Sequence, residues 1–219
     1  MSMCPLSHSP NRHLKQGIGI HLLGMQPTHL VILGYILSFS RLTCYILLVA
    51  EFRSRKYPHL NPMLAADATM LRYDVRSLPK DAIVSSMYLP SCYTPCLETH
   101  TSHIRLISKA FPWTIDVKSQ GTITCELIWD AIYHGLQEPL ADSEWGAAVA
   151  DKERRETILK AAKTREAKDK DKRLKRIDWL GGTTVFRGLE QDGDFEKLRL
   201  LPGAQACPET WVLQLTKGL

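Results

Sequence analysis

The chain reads as an α+β domain. The expected build is a small antiparallel or mixed sheet with two to three helices, one long and charged, preceded by an apolar N-terminal segment. Three observations predict it. Short stretches alternate apolar and polar residues, as half-buried strands do. The apolar period then lengthens to that of a helix between Thr124 and Gln137. Finally, Ile177–Glu190 holds Trp179, Phe186, three glycines and the run Thr183-Thr184-Val185, the composition of a tight turn feeding a buried strand.

Asn61-Pro62 opens the body with a turn signal. Met70–Val75 alternates and predicts a strand, closed by Ser77-Leu78-Pro79. Residues 77–103 are rich in Pro, Ser and Thr and predict loop. Ile104–Ile107 and Trp113–Val117 predict two strands parted by Phe111-Pro112, with a turn at Ser119–Gly121. Leu127, Ile128, Ala131, Ile132 and Leu136 then mark one face of a helix. Glu126 sits in its first turn, where a negative charge complements the helix dipole, and Pro139 ends it. Asp142 or Ser143 is a suitable cap for a second helix containing Trp145.

A charged helix is expected from Asp151 to about Arg176. Its pairs at i,i+4 (Asp151–Arg155, Glu156–Lys160, Glu166–Lys170, Asp169–Arg173, Asp171–Lys175) each contribute about 0.2–0.5 kcal/mol to an exposed helix. Lys163–Arg173 is almost wholly charged and predicts a projecting half. Gly181-Gly182 turns the chain into a strand at Thr183–Phe186. A loop over Glu190–Glu196 follows, then Leu198, Leu200 and Leu201 returning to the core, and a last strand at Trp211–Leu215. Strands, then helices, then strands again is the α+β pattern.

The net charge of +5 over 219 residues is unevenly placed. Residues 1–66 hold six Lys/Arg and one acid, residues 67–150 six and ten, residues 151–178 twelve and seven, and residues 179–219 four and five. A near-neutral to acidic body therefore carries a basic leader and one basic segment. The six cysteines are scattered too irregularly for a disulfide scaffold and read as reduced, small apolar residues.

Residues 1–57 read as a leader and 58–219 as the α+β domain. No acid precedes Glu51, and Leu30–Ala50 carries one charge, Arg41. That length matches a hydrocarbon core of about 30 Å. Its twelve Leu, Ile, Val and Phe residues contribute about −4 to −7 kcal/mol of insertion energy against about +3 for a central Arg. Ser38, Ser40, Thr43 and Gly34 erode the remainder. Arg12 and Lys15 flank one side and Arg53, Arg55 and Lys56 the other more closely, which mildly favours a cytoplasmic domain. The alternative is a spurious or unstructured leader on a cytoplasmic domain.

Phe111–Val117, Ile177–Gly182, Val185–Leu189 and Glu209–Val212 together resemble a fungal family defined only as a domain of unknown function, number 6699. The resemblance covers roughly residues 60–215. The segment 58–103 follows it only through Asn61-Pro62-Met63-Leu64 and Tyr73-Asp74-Val75, and the leader matches nothing in it. It implies a shared fold and supplies no activity, cofactor or catalytic residue.

Few residues suggest chemistry. Cys92, Cys96, His100 and His103 are zinc-ligand types, but the spacing is not that of a finger. Cys125 or Cys207 with His134 offers a thiol–imidazole pair without a local signature. Gly181-Gly182 follows a helix rather than a strand, so it is a turn and not a phosphate loop. Glu190, Asp192, Asp194 and Glu196 lack calcium-loop spacing. Asp178 is the polar residue whose role stays open. No catalytic, cofactor-binding or metal residue is assigned and no cofactor is expected. Trp113, Trp179, Gly181, Gly182, Phe186 and Trp211 are taken as structural anchors.

The reading is a non-catalytic protein-interaction module with an unknown protein partner, tethered to a membrane if residues 30–50 span one. An enzyme whose site is assembled from distant residues is one alternative. Weak nucleic-acid binding through 152–176 is another, disfavoured because seven acids offset twelve bases across 151–178 and no aromatics interleave.

Overall fold

A computed structural model describes residues 53–200 and 207–218. The leader up to residue 52, with the apolar stretch 30–50, and Leu201 lie outside the described residues. Four strands, β1 (His103–Ser108), β2 (Phe111–Lys118), β3 (Val185–Glu190) and β4 (Thr210–Thr216), form a mixed sheet in the order β2-β1-β4-β3. β1 pairs antiparallel with β2 and parallel with β4, and β3 pairs antiparallel with β4. The fold is α+β. Among the described residues there are seven helices rather than two or three: α1 (Pro79–Ala82), α2 (Ser85–Ser91), α3 (Cys125–Gln137), α4 (Asp142–Val149), α5 (Lys152–Asp169), α6 (Arg176–Trp179) and α7 (Gly193–Arg199).

β2 alternates strictly, burying Phe111, Trp113, Ile115 and Val117 while Pro112, Thr114, Asp116 and Lys118 face out. Phe111-Pro112 therefore opens this strand instead of parting two, and the turn falls at Lys109-Ala110. The inner face of the sheet meets α3 through Cys125, Ile128, Trp129, Ile132 and Leu136, an i, i+3, i+4 stripe. Leu127, expected on that stripe, is 39% exposed, and Trp129 takes the place inside. Thr124 caps α3 by accepting from the Leu127 amide. Ile107 and Val212, which pair across β1 and β4, are buried outside this cluster, by strand alternation on the opposite face.

Several elements differ from the sequence expectation. Leu71, Tyr73 and Val75 are buried in alternation, but 70–75 is no strand. Its backbone pairs with β3 at one Asp74–Val185 bridge, flanked by Val75 N donating to Thr184 O and Phe186 N to Tyr73 O. α1 and α2 interrupt the expected loop at 77–103. The strand after the glycine turn starts two residues later than expected. The acidic stretch after Glu190 coils into α7, because Asp192 accepts from the Phe195 amide and caps it. Leu198 and Leu200 are exposed rather than returned to the core. Residues 54–57, assigned to the leader by composition, pack on the body: Ser54 is buried and donates to Asp67 at 2.6 Å, and the Tyr57 ring meets Trp211 edge-on at 5.7 Å.

Arg199 of α7 reaches back to the start of β2, donating to the carbonyls of Ser108, Phe111, Pro112 and Trp113. At the other side of the sheet β3 passes so close to Leu64–Ala66 that only glycine fits at 188. Its φ is +110°, and an added Cβ would sit 2.6 Å from Ala66 Cα. Gly188→Ala is expected to destabilise the domain by more than about 1 kcal/mol. Gly182→Ala, with open space around it, is expected to change stability by less than about 0.5 kcal/mol. Urea unfolding of both variants checks the contrast.

Candidate functional site

α5 is tied down along its length rather than projecting. Asp151 caps its start, accepting from Glu153 N and Arg154 N. Ile158 and Ala162 bury against the body. Its expected run to about Arg176 stops at Asp169, where Lys170 adopts a left-handed conformation with φ 60°. Of the five predicted i,i+4 pairs, Asp171–Lys175 forms, at 3.3 Å, and it lies beyond the helix. Within α5 the pairs are Lys152–Glu156 and Arg165–Asp169.

The reason for the early stop is Arg165. Its guanidinium makes a two-pronged bond to Asp178, Nε to Oδ1 and a terminal nitrogen to Oδ2, both at 2.9 Å. It also donates to the carboxylate of Asp169 and to the carbonyls of Asp171 and Arg173, which wraps 170–175 around it. Asp178 is only 2% exposed. Besides Arg165 it accepts from the Lys175 amide at 2.9 Å and so caps α6, which settles its role. α6 in turn sends Trp179 inward, T-stacked on Trp113 at 5.7 Å, with its Nε1 donating to Ala110 O. Arg176 bonds Glu144 and Glu138 and lies 5.1 Å over the Trp113 ring. Glu144 also accepts from the Ala141 amide, so α4 is capped one residue earlier than expected.

Between these parts lies a groove of about 730 Å³. One wall is the face of α5 formed by Thr157, Lys160, Ala161, Thr164, Arg165 and Lys168. The other comes from Tyr133 and Gln137 of α3 and from Asp74, Arg76 and Ser77; Ile177, Asp178 and Gly181-Gly182 also line it. Gly181 has φ +56°, and a Cβ there would meet Thr157 Cγ2 at 2.6 Å. The charges fall into two sets. Arg76 is held by Asp74 at 2.9 Å, and Asp169 by Arg165 and Lys175. The ammonium groups of Lys160 and Lys168 have no hydrogen-bond or ion-pair partner among the described residues. The side-chain polar atoms of Tyr133, Gln137 and Thr157 have no hydrogen-bond partner there either. Among the described residues the groove thus pairs off its anions and leaves two of its four cations, Lys160 and Lys168, free.

Of the anchors chosen from sequence, two line the groove and four are buried in the body. Trp113, Trp179, Phe186 and Trp211 are all under 9% exposed, and Gly181 and Gly182 line the groove. The proposed metal set does not gather. Cys92 and Cys96 are buried, His100 is exposed, and among the described residues no group of three or more His, Cys, Asp or Glu is placed to hold a metal. Cys125 is buried at the start of α3, while His134, nine residues on, is exposed; burial pushes the Cys125 thiol up to about 12. Cys207 lies near His103, not His134. Among Glu190, Asp192, Asp194 and Glu196, Asp192 caps α7 and pairs with Lys109, and Asp194 pairs with Lys197.

A sequence model of a family of unknown function matches residues 71–195, more than half of the chain, and the chain belongs to that family. The match is narrower than the expected span of 60–215. It contains every groove residue and ends before Cys207 and β4. No curated protein matches the chain. No solved structure matches it.

Two outcomes follow from the clamp. Asp178→Ala leaves the Arg165 charge without its buried partner and is expected to cost about 3–5 kcal/mol in urea unfolding. Arg165→Met combined with Asp178→Ala is expected to cost less than the sum of the two single changes. Asp169 and Asp171 are both held below the usual carboxylate range. For Asp169 the Asp171 amide and Arg165 do this, and for Asp171 the Arg173 guanidinium and amide. A depressed carboxyl stabilises the fold fully above its unfolded value of about 4, and that contribution is lost as pH falls through the lower folded value. The thermal midpoint is expected to drop less between pH 5 and pH 2 in Asp171→Asn than in the parent.

Proposed function

We propose that this member of the family DUF6699 is a non-catalytic protein-interaction module whose groove between α3 and α5 grips an anionic stretch of a partner protein. The observation that carries the reading is the pair of unpartnered ammonium groups, Lys160 and Lys168, one on each side of a rigid, pre-paired clamp. A groove whose own carboxylates are already neutralised repels no acidic ligand, and its two free cations steer one in. The unbonded polar atoms of Tyr133, Gln137 and Thr157 add hydrogen-bonding groups to fix orientation.

Nucleic-acid binding is less well supported. It calls for a continuous basic stripe over 152–176. Arg154 lies over the Trp179 ring, and Arg165, Lys175 and Arg176 are turned into ion pairs, which breaks the stripe. Among the described residues no helix is long and apolar enough to cross a membrane. Anchoring through residues 30–50 stays with this proposal as a reading of the sequence. Carbonate extraction of membranes from cells expressing the full chain tests it, with release into the supernatant counting against the anchor.

The groove is tested by fluorescence anisotropy with an Asp/Glu-rich peptide and a neutral peptide of equal length. The acidic peptide is expected to bind and to weaken with added salt. Lys160→Glu combined with Lys168→Glu is expected to lower its affinity by about tenfold or more. Equal binding of both peptides, or an unchanged affinity in the double variant, would overturn the proposal.

A further inference from the structure

Away from the groove, β1, β2 and the segment leading into β4 bring together three groups that chemistry uses in sequence. The Cys207 sulfur lies 3.7 Å from His103 Nδ1. His103 Nε2 lies 3.0 Å from Asp116 Oδ1. Asp116 is fixed in turn by Arg105, whose Nε donates to the same oxygen at 2.8 Å. A carboxylate at Nε2 holds the proton on that nitrogen and leaves Nδ1 as an acceptor facing the sulfur. This is the arrangement of nucleophile, base and orienting group by which a thiol is activated. We infer that Cys207, His103 and Asp116 form a thiol-exchange site, at which Cys207 is the nucleophile towards low-molecular-weight disulfides.

The positions of the groups support this over an inert buried cysteine. Cys92, Cys96 and Cys125 are 0–1% exposed and Cys207 is 5% exposed. None of the first three has a histidine within bonding reach among the described residues. Cys92 bonds the Leu89 carbonyl and Cys125 faces Thr94. Cys207 has two acceptors for its proton, His103 Nδ1 and the Glu209 carbonyl at 3.6 Å, and only the imidazole can take it. The His103 side chain is 32% exposed, so the base is in contact with solvent. The Cys207 main chain is held as well, because its carbonyl accepts from Thr210 Oγ1 at 3.0 Å.

The step balances without an outside oxidant beyond the disulfide itself. His103 Nδ1 takes the Cys207 proton as the sulfur attacks one sulfur of the small disulfide. That S–S bond breaks and a new one forms to Cys207. The departing thiolate leaves with the electron pair and takes the proton from the imidazolium. The products are a mixed disulfide on the protein and one free small thiol. His103 touches the reacting sulfur and acts as the base, while Asp116 is a positioning residue. This inference is independent of the groove and stands or falls without it.

The test treats the full chain with oxidised glutathione and follows each cysteine-containing peptide by mass spectrometry, folded and in urea. Cys207 is expected to react about 100-fold faster than Cys92, Cys96 and Cys125 in the folded chain, and faster than it does itself in urea. His103→Gln is expected to slow Cys207 by about 100-fold. Asp116→Asn is expected to slow it by about tenfold. The other three thiols report on folding in the same molecules: a loosened structure speeds those three, whereas loss of base or orientation slows Cys207 and leaves them unchanged. A folded Cys207 slower than its urea rate overturns the inference even if a variant does not fold. So does a rate that His103→Gln leaves unchanged.

Discussion

The bond between Arg165 and Asp178 is the constraint on which the helical half of the domain depends. An ion pair taken out of water gains little net stability, since desolvation offsets the attraction. Its effect is on geometry. Asp178 has one amide and one guanidinium to satisfy it, so α6 and α5 have a single mutual position at which the pair closes. That position sets Ile158 and Ala162 against the body, delivers Trp179 to Trp113, and lets Arg176 reach Glu144. It also wraps 170–175 into a cap for α5. The groove is the space left over when these contacts are made, and its shape is as rigid as they are.

The parts legible in the sequence were those with a clean local period. The alternation of β2, the apolar stripe of α3 and the run Trp211–Leu215 of β4 each depend on neighbours within a few residues. The end of α5 was not legible for a physical reason. Residues 163–173 are good helix formers, and nothing local stops them. Two carbonyls claimed by Arg165 do so, together with a lysine held in a left-handed conformation that a sequence reading reserves for glycine. For 70–75 the alternation correctly marked what is buried, but a strand needs a ladder, and here the neighbour offers one bridge. α7 does carry a local signal. Asp192 ahead of Gly193-Asp194-Phe195 is a capping sequence, yet its acids suggested a loop.

The candidate sites were legible to different degrees. Thr157, Lys160, Ala161, Thr164, Arg165 and Lys168 repeat at helical spacing and share one face. That face holds no large apolar side chain, so its charged half, Lys163–Arg173, reads as projecting into solvent. A face that lines a polar groove has the same composition as one that faces water, and only the opposing wall tells them apart. Cys207 and His103 are 104 residues apart in the chain. No spacing rule spans that distance, and the parallel pairing of β1 with β4 is what joins them.

The reach of Arg199 to the opening of β2 has a consequence for how the molecule meets others. β2 ends the sheet on one side, and an unpaired strand there invites a second chain to extend it. At its first residues Pro112 has no amide to offer, and the carbonyls of Phe111, Pro112 and Trp113 are already taken by one guanidinium. An incoming strand finds no amide at Pro112 and meets carbonyls that are already engaged. One side chain from a short helix thus guards that stretch of the edge together with Pro112, and removing it would free acceptors for a templating strand rather than merely delete a contact.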